Sequence, residues 1–399
     1  MWRFPGILLS LVPTALFAAP AQDWSATIAT LGLGKTEVVL TALPTPSPDD
    51  LFALGATRFL LGIEQALQLR WQVGATDELA PLPILRLQLF PNPSPQPVRA
   101  SLLAEIFTGV TANMALADAA LANIPAGEEL GLTLRLEDLW FDINANTRRD
   151  PGEDLLPLAF DSFTMPFTDM AAPASTTIRF DTADLLWLRA YSHLLAAVGS
   201  FVLAFDPTDA IDKVLTAAAD KHQRFASPLP STLDQFDSDG WLDKAAIAIL
   251  ALRQQPDPGL TRQTAAHLKQ MIGFNLAFWR AVAAETDNQA EWIPNQHQSA
   301  ALGFSLPDGT DALWQGVLAE LDLLLQGKLL VPHIALPPDA GINIAAWLKD
   351  PNPLDLIGWL HGMDALPYAE KGPVISGTAW RGFEQLVEGR GLLFALLLN

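Results

Sequence analysis

The chain has 399 residues, half of them apolar, with 24 basic against 44 acidic side chains, a formal charge of −20 and no cysteine. So acidic a chain repels nucleic acid and anionic lipid, because phosphate recognition depends on lysine and arginine, and it leaves cations as the favoured small partners. Without cysteine there can be no disulfide, thiolate metal site, cysteine nucleophile or thiol-linked lipid.

Residues 1–21 read as a secretory signal. Arg3 precedes an apolar run from Ile7 to Ala18 that Pro13 interrupts, and small residues Ala19 and Ala21 stand before Gln22. The run is too short for a bilayer, which takes about 20 apolar residues. The expected product is therefore a periplasmic or secreted protein with no stable membrane span. Loss of Arg3 with the signal changes the charge from −20 to about −21. The remainder is long enough for two domains or one large one. A break at Ser227-Pro228-Leu229-Pro230-Ser231 suggests an N-terminal lobe of residues 22–230 and a C-terminal lobe of residues 231–399.

Helix starts recur in one form. Ser47-Pro48-Asp49-Asp50, Asp206-Pro207-Thr208-Asp209 and Asn352-Pro353-Leu354-Asp355 each offer a cap oxygen, a proline that lacks the amide left unpaired in a first turn, and an acid facing the positive helix end; Asp257-Pro258 is a shorter version. The spacing predicts a helix over 50–73, in which Arg58, Glu64 and Arg70 are expected to pair at the core edge. Leu85, Leu87 and Leu89 alternate with polar residues and predict a strand, followed by a proline-rich loop at 92–97. Apolar residues at three-and-four spacing predict a helix over 101–123, and Leu130, Leu132, Leu134 and Leu136 predict a strand. An irregular connection is expected over 157–175. The segment 181–205 is the most apolar of the mature chain, expected as a buried central helix rather than a span. Further helices are predicted near 242–253, 260–284, 311–325, 354–361 and 378–397, with a short strand at 329–334. The fold class is thus mainly α with a few short β-strands, an α+β protein of two helical lobes. No fixed-period repeat occurs.

One stretch carries oxygen ligands at a chemically meaningful spacing: Asp142, Asn144, Asn146, Asp150 and Glu153. These twelve residues resemble the calcium loop of EF-hand proteins and, more loosely, dockerin-type calcium loops, with Asp142, Asn144 and Asn146 at positions one, three and five, Asp150 at nine and Glu153 at twelve. The resemblance implies side-chain oxygens from the first three, the Arg148 carbonyl, a water held by Asp150 and both oxygens of Glu153 around calcium. Position six is Thr147 where the family has glycine, and position eight is Arg149 where it has an apolar residue. Asp150-Pro151-Gly152-Glu153 also fits the cap, proline, acid pattern seen elsewhere, so Asp142, Asn144 and Asn146 carry the resemblance. The leucine-rich strand ahead of the loop points to a structural metal rather than a helix-loop-helix switch. A second segment, Asp237-Ser238-Asp239-Gly240-Trp241-Leu242-Asp243, has the glycine but places Gln235 and Ala246 at positions one and twelve; it reads either as a weak metal site or as the acidic start of a helix.

Catalytic patterns are absent. The histidines at 193, 222, 267, 297, 333 and 361 form no zinc pair, no Gly-x-Ser-x-Gly occurs, and Gly32-Leu33-Gly34-Lys35-Thr36 lacks the first glycine of a phosphate loop. Arg189 and His193, one helical turn apart beside Trp187 and Tyr191, are the catalytic candidates, with a core polar network as the plainer reading. The eleven tryptophans from Trp24 onward could stack on sugars, though burial is their ordinary fate. The functional expectation is an exported, non-enzymatic binding or structural protein holding calcium, its other partner an unknown small molecule or protein. The alternative is a periplasmic, hydrolase-like enzyme whose site is assembled from dispersed residues.

Overall fold

The computed structural model describes residues 22–76, 83–158, 175–225 and 241–398. The predicted signal at 1–21, the predicted lobe boundary at 227–231, positions 237–240 of the second metal candidate and most of the predicted 157–175 connection lie outside them. The chain is mainly α-helical with two small antiparallel two-stranded sheets, as its periodicity predicts. Helices α1 (Trp24–Thr41), α2 (Pro48–Gln72), α3 (Pro83–Arg86) and α4 (Leu102–Leu121) lead to strand β1 (Leu132–Arg135), which pairs with β2 (Thr177–Phe180). Helices α5 (Thr182–Phe205), α6 (Thr208–Phe225), α7 (Trp241–Leu252), α8 (Pro258–Ala284) and α9 (Thr310–Leu325) follow. Strand β3 (Ala340–Ile342), helices α10 (Ile344–Lys349) and α11 (Leu356–His361), strand β4 (Ala369–Lys371), α12 (Thr378–Leu386) and α13 (Gly391–Leu398) complete the described chain.

The cap chemistry works as written for α2: Ser47 Oγ accepts the Asp50 amide while Asp50 Oδ2 accepts the Ser47 amide, satisfying two donors that the helix cannot. Asp181 and Asp184 make the same reciprocal box at α5, and Asp257 caps α8. At α11 the cap is Asp355 rather than Asn352, because Asp355 Oδ1 takes the Ile357 and Gly358 amides and the helix starts later than the proline suggests.

Helix α5 packs between α4 and α8 in the main core, which draws on residues from Trp24 to Leu398 and so runs on both sides of residues 227–231. The predicted burial of this helix holds: it is the one described helix long and apolar enough to cross a membrane, and 61% of its most apolar window is buried within the molecule. Close approach depends on glycine. A Cβ on Gly55 would stand 2.5 Å from Leu121 of α4, and one on Gly199 2.5 Å from Thr111 Cγ2. A smaller core forms where Phe205 stacks on Trp347 beside Ile342 and Tyr368. Asn275 of α8 ties distant elements together, accepting Trp314 Nε1–H at 3.1 Å and donating to the Leu398 carbonyl at 2.7 Å; Trp187 Nε1 donates to the Leu397 carbonyl.

Several local readings change. Helix α1, which the sequence reading does not anticipate, bends at Gly32, whose φ of +74° lets Trp140 pack where a Cβ would sit 2.9 Å from its ring. The Gly34-Lys35-Thr36 stretch is part of this helix. Leu85, Leu87 and Leu89 do not form a strand: the intervening Arg86 is as buried as the leucines, which leaves Gln88 as the exposed position between them, and α3 replaces the first part of the segment. The predicted 378–397 helix breaks into α12 and α13 around Glu388 and Gly389, both at positive φ. Residues 329–334 make only isolated bridges, Leu330 with Val374 and Val331 with Ile342.

The glycine contacts give a paired expectation. Gly199→Ala should destabilise by about 1–3 kcal/mol through overpacking against α4, whereas Gly273→Ala, on the exposed side of α8 with nothing within 4 Å of the new methyl, should stabilise by about 0.5–1 kcal/mol. Urea melts of the two variants read the difference, and equal effects would contradict the α4–α5 contact.

Candidate functional site

The 142–153 loop is held at its neck and at its first residue. Phe141 N–H donates to the Glu153 carbonyl and Leu155 N–H to that of Leu139, so the chain enters and leaves as a short antiparallel ladder around the Trp140–Asp154 bridge. From α2, Glu64 Oε2 accepts the Asp142 amide at 2.8 Å and Gln68 Nε2 donates to the Asp142 carbonyl at 2.7 Å. One helical turn therefore reads both backbone groups of the loop's first residue. Glu64 is thereby a loop anchor; Arg58 of the predicted trio pairs with Glu37, and Arg70 is buried and donates to the Ile84 carbonyl.

Inside the loop the predicted ligand residues do converge. Asp142 accepts the Asn146 and Thr147 amides on its two oxygens, Asn144 Oδ1 accepts the Asn146 amide and Asn146 Oδ1 that of Arg148. The side-chain amides of Asn144 and Asn146 both donate to Asp150 Oδ2, which holds that carboxyl below its ordinary range. Glu153 is fully buried, its Oε1 taking the Ile143 and Asn144 amides and its Oε2 that of Asp150. Its carboxyl is pushed up, first by burial, and Glu64 is raised to about 7 by burial and by the nearby Asp142 and Glu153 charges. Thr147 takes a φ of +62°, the left-handed conformation for which the sixth position ordinarily uses glycine. Arg149 pairs with Asp154 and the Glu137 carbonyl. The Asp150-Pro151-Gly152-Glu153 stretch makes a turn with Gly152 at φ +94°, and is not itself a helix start.

The donor set is oxygen-rich and suits a hard cation. A carboxylate oxygen can accept more than one partner, so the amide bonds to Asp142 and Glu153 leave coordination capacity. Asn144 and Asn146, by contrast, direct NH2 groups at Asp150. Coordination by the full predicted set, with Asp150 holding a water, requires those two amides to release its carboxylate.

Two further clusters lie around α5. Arg189 Nε donates to Asp118 Oδ1 of α4 at 2.7 Å, and its guanidinium sits 4.0 Å above the Phe274 ring. His193 stacks on the same ring, places Nε2 3.6 Å from Asp118 Oδ2 and Nδ1 2.8 Å from Nδ1 of His267 on α8. Arg189 and His193 thus acquire a carboxylate and a second imidazole from two other helices. No spacing could reveal this, since the partners stand 71 and 74 positions away. Burial lowers both histidines, which favours the neutral rings and lets one donate to the other.

At the start of α5, oxygens of Asp181, Glu285 and Glu291 lie within 4.8 Å of one another, an arrangement able to hold a metal ion. Burial, reinforced by mutual repulsion and by Asp287, raises Glu285 to about 7 and also raises Glu291. Buried Asp184 is raised well above the ordinary carboxyl range. The sequence marks none of this junction, because Glu285 and Glu291 arrive from the far end of α8 and the loop after it.

These clusters set opposite pH dependences. A carboxyl raised from 4.5 to about 7 stays protonated longer in the folded state, so its contribution is lost as pH rises through that window; a histidine lowered below 6.5 contributes stability that is lost as pH falls through 6.5 and below. Glu285→Gln should therefore raise stability at pH 8 relative to pH 5, by about 1 kcal/mol after solvent screening of this half-buried group. His267→Gln should weaken the acid-side loss. Denaturant titrations across pH 5–8 measure both; wild-type-like profiles would contradict the burial described. Compared with models of protein families, with curated proteins and with solved structures, the chain matches none.

Proposed function

We propose that this chain is an exported, non-catalytic protein of binding or structural role, working in the periplasm or outside the cell, in which loop 142–153 takes up calcium as a structural ion. The observation that carries this reading is the convergence of Asp142, Asn144, Asn146, Asp150 and Glu153 on one loop whose neck and first residue are fixed by β-type pairing and by Glu64 and Gln68. A cation ligated there by Asp142, Asn144, Asn146, the Arg148 carbonyl and Glu153, with Asp150 acting through water, would offset the crowding of Asp142, Glu153 and Glu64. The rigid mounting favours a static brace over a switch, since a switch needs a second arrangement of similar free energy.

One observation favours a second, enzymatic reading. Arg189, His193, Asp118 and His267 form a connected carboxylate–imidazole–imidazole set of the sort that general acid–base chemistry uses. Hydrolysis of generic ester, phosphoester or glycoside substrates that is abolished by His267→Gln would establish it.

Calcium titration against melting temperature tests the first reading. A native-state ligand at 100 times its Kd stabilises by about 2.7 kcal/mol, so a rise in melting temperature of several degrees is expected in millimolar calcium. Glu153→Gln should abolish the rise and Glu285→Gln leave it intact. No rise would refute the calcium loop; a rise lost only in Glu285→Gln would move the ion to the acidic junction at Asp181.

A further inference from the structure

Six large apolar side chains on α11 and the turns beside it, those of Ile334, Leu356, Ile357, Leu360, Met363 and Leu366, are each more than half exposed, and Ile334 reaches 89%. Scattered singly such residues mean little; gathered, they mark a surface that another body covers. On α11, Leu356 and Ile357 stand four and three positions before Leu360, so the three share one side of the helix while Gly358 is buried. Past the helix end, His333 Nε2 donates to the Trp359 carbonyl and its Nδ1 accepts the Ala335 amide, while a Cβ on Gly362 would stand 3.1 Å from that of Ala335. The turn presenting Ile334 is thus fastened to α11. Between it and residues 362–366 opens a cavity of about 150 Å³, lined in part by Leu336, Met363, Ala365 and Leu366. That is below the roughly 300–1,000 Å³ of small-molecule sites and close to the space that holds one benzene ring, which makes it a socket for a single side chain.

The charge of the occupant follows from the surroundings. Residues 332–371 hold five acids, Asp339, Asp350, Asp355, Asp364 and Glu370, against Lys349 and Lys371. Asp355 is spent on the α11 cap and on Arg253, and Asp339 pairs with Lys371. Asp364 is half-buried against α11, where a side chain at Gly358 would collide with its carboxylate, and that carboxylate makes no hydrogen bond or ion pair among the described residues. A second copy would bring a second such set of acids, and an anionic lipid surface its phosphates, so like charge opposes both. A basic partner meets no such opposition and offers Asp364 a cation. Because the surface is built from a helix and turns rather than a strand edge, the partner must satisfy its own backbone groups, as a helix does. We infer that this surface docks a cationic amphipathic helix of another protein, one large apolar side chain entering the socket and a lysine or arginine reaching Asp364. The surface is separate from loop 142–153, and its role does not rest on calcium.

The test is fluorescence anisotropy of a labelled peptide of about 14 leucines and lysines, patterned as an amphipathic helix, titrated with the full mature chain in EDTA. Saturation in the micromolar range is expected, weakened about tenfold or more in Ile357→Ser/Leu360→Ser and about threefold or more in Asp364→Asn. Both apolar positions are exposed, so the double variant keeps its fold, which an unchanged melting temperature verifies. Absence of saturation overturns the proposal, as does binding unaltered in both variants. So does equal binding of a peptide of the same composition with its helical pattern scrambled, since net charge alone would then suffice, or of the peptide with glutamate for lysine. Dimerisation in sedimentation, or flotation with phosphatidylcholine vesicles, that the double variant abolishes would overturn it by giving the surface to a second copy or to lipid.

Discussion

Burial of α5 is the constraint around which the rest is arranged. From Ala190 to Phe205 the helix carries no lysine, arginine, aspartate or glutamate, and its backbone groups satisfy one another, so it can lie between α4 and α8 with only a few polar side chains to account for. Those few decide where chemistry can occur. Arg189 and His193 must find partners at the helix surface and do so through Asp118, His267 and the Phe274 ring. At its N-terminal end the cap uses carboxylates, and Asp181 with Asp184 draws a crowd of carboxyl groups into the junction with Glu285 and Glu291. Both clusters follow from seating one apolar rod inside a chain with many more acids than bases.

The 142–153 loop obeys a different logic. Ile143 joins it to the main core, but the rest of its order comes from hydrogen bonds between its own oxygens and amides, with α2 acting as a mount. The same oxygens that could ligate a cation also satisfy the amides of a tight turn, which is why spacing cannot separate the two roles. What distinguishes them physically is the orientation of the Asn144 and Asn146 amides and whether a left-handed Thr147 is repaid by an ion.

Legibility in the sequence tracked the range of the interaction. Caps at Ser47 and Asp257, the periodic faces of α2, α4 and α5, and the alternating leucines of β1 are local, and the folded chain keeps them. Leu85, Leu87 and Leu89 misled because alternation implies a solvent face, and Arg86 is drawn inside as well. The bend of α1 depends on Trp140, more than a hundred residues away. The acidic junction at Asp181 left no mark for the same reason: Glu285 and Glu291 reach it from the end of α8 and the loop after it. The spacing of the loop's oxygens was visible, but the clamp from Glu64 and Gln68, which fixes the loop in place, was not.

The bonds from Asn275 and Trp187 to the carbonyls of Leu398 and Leu397 reach across 123 and 210 positions. Closing contacts of such separation is entropically slow, and here they satisfy groups that would otherwise be buried and bare. Assembly of the central helices therefore stays incomplete until α13 arrives. A chain delivered from its amino end, whether by a ribosome or through a membrane pore, would keep α5 and α8 unsealed for the whole of its passage. That interval is when the apolar surface of α5 most needs protection from aggregation.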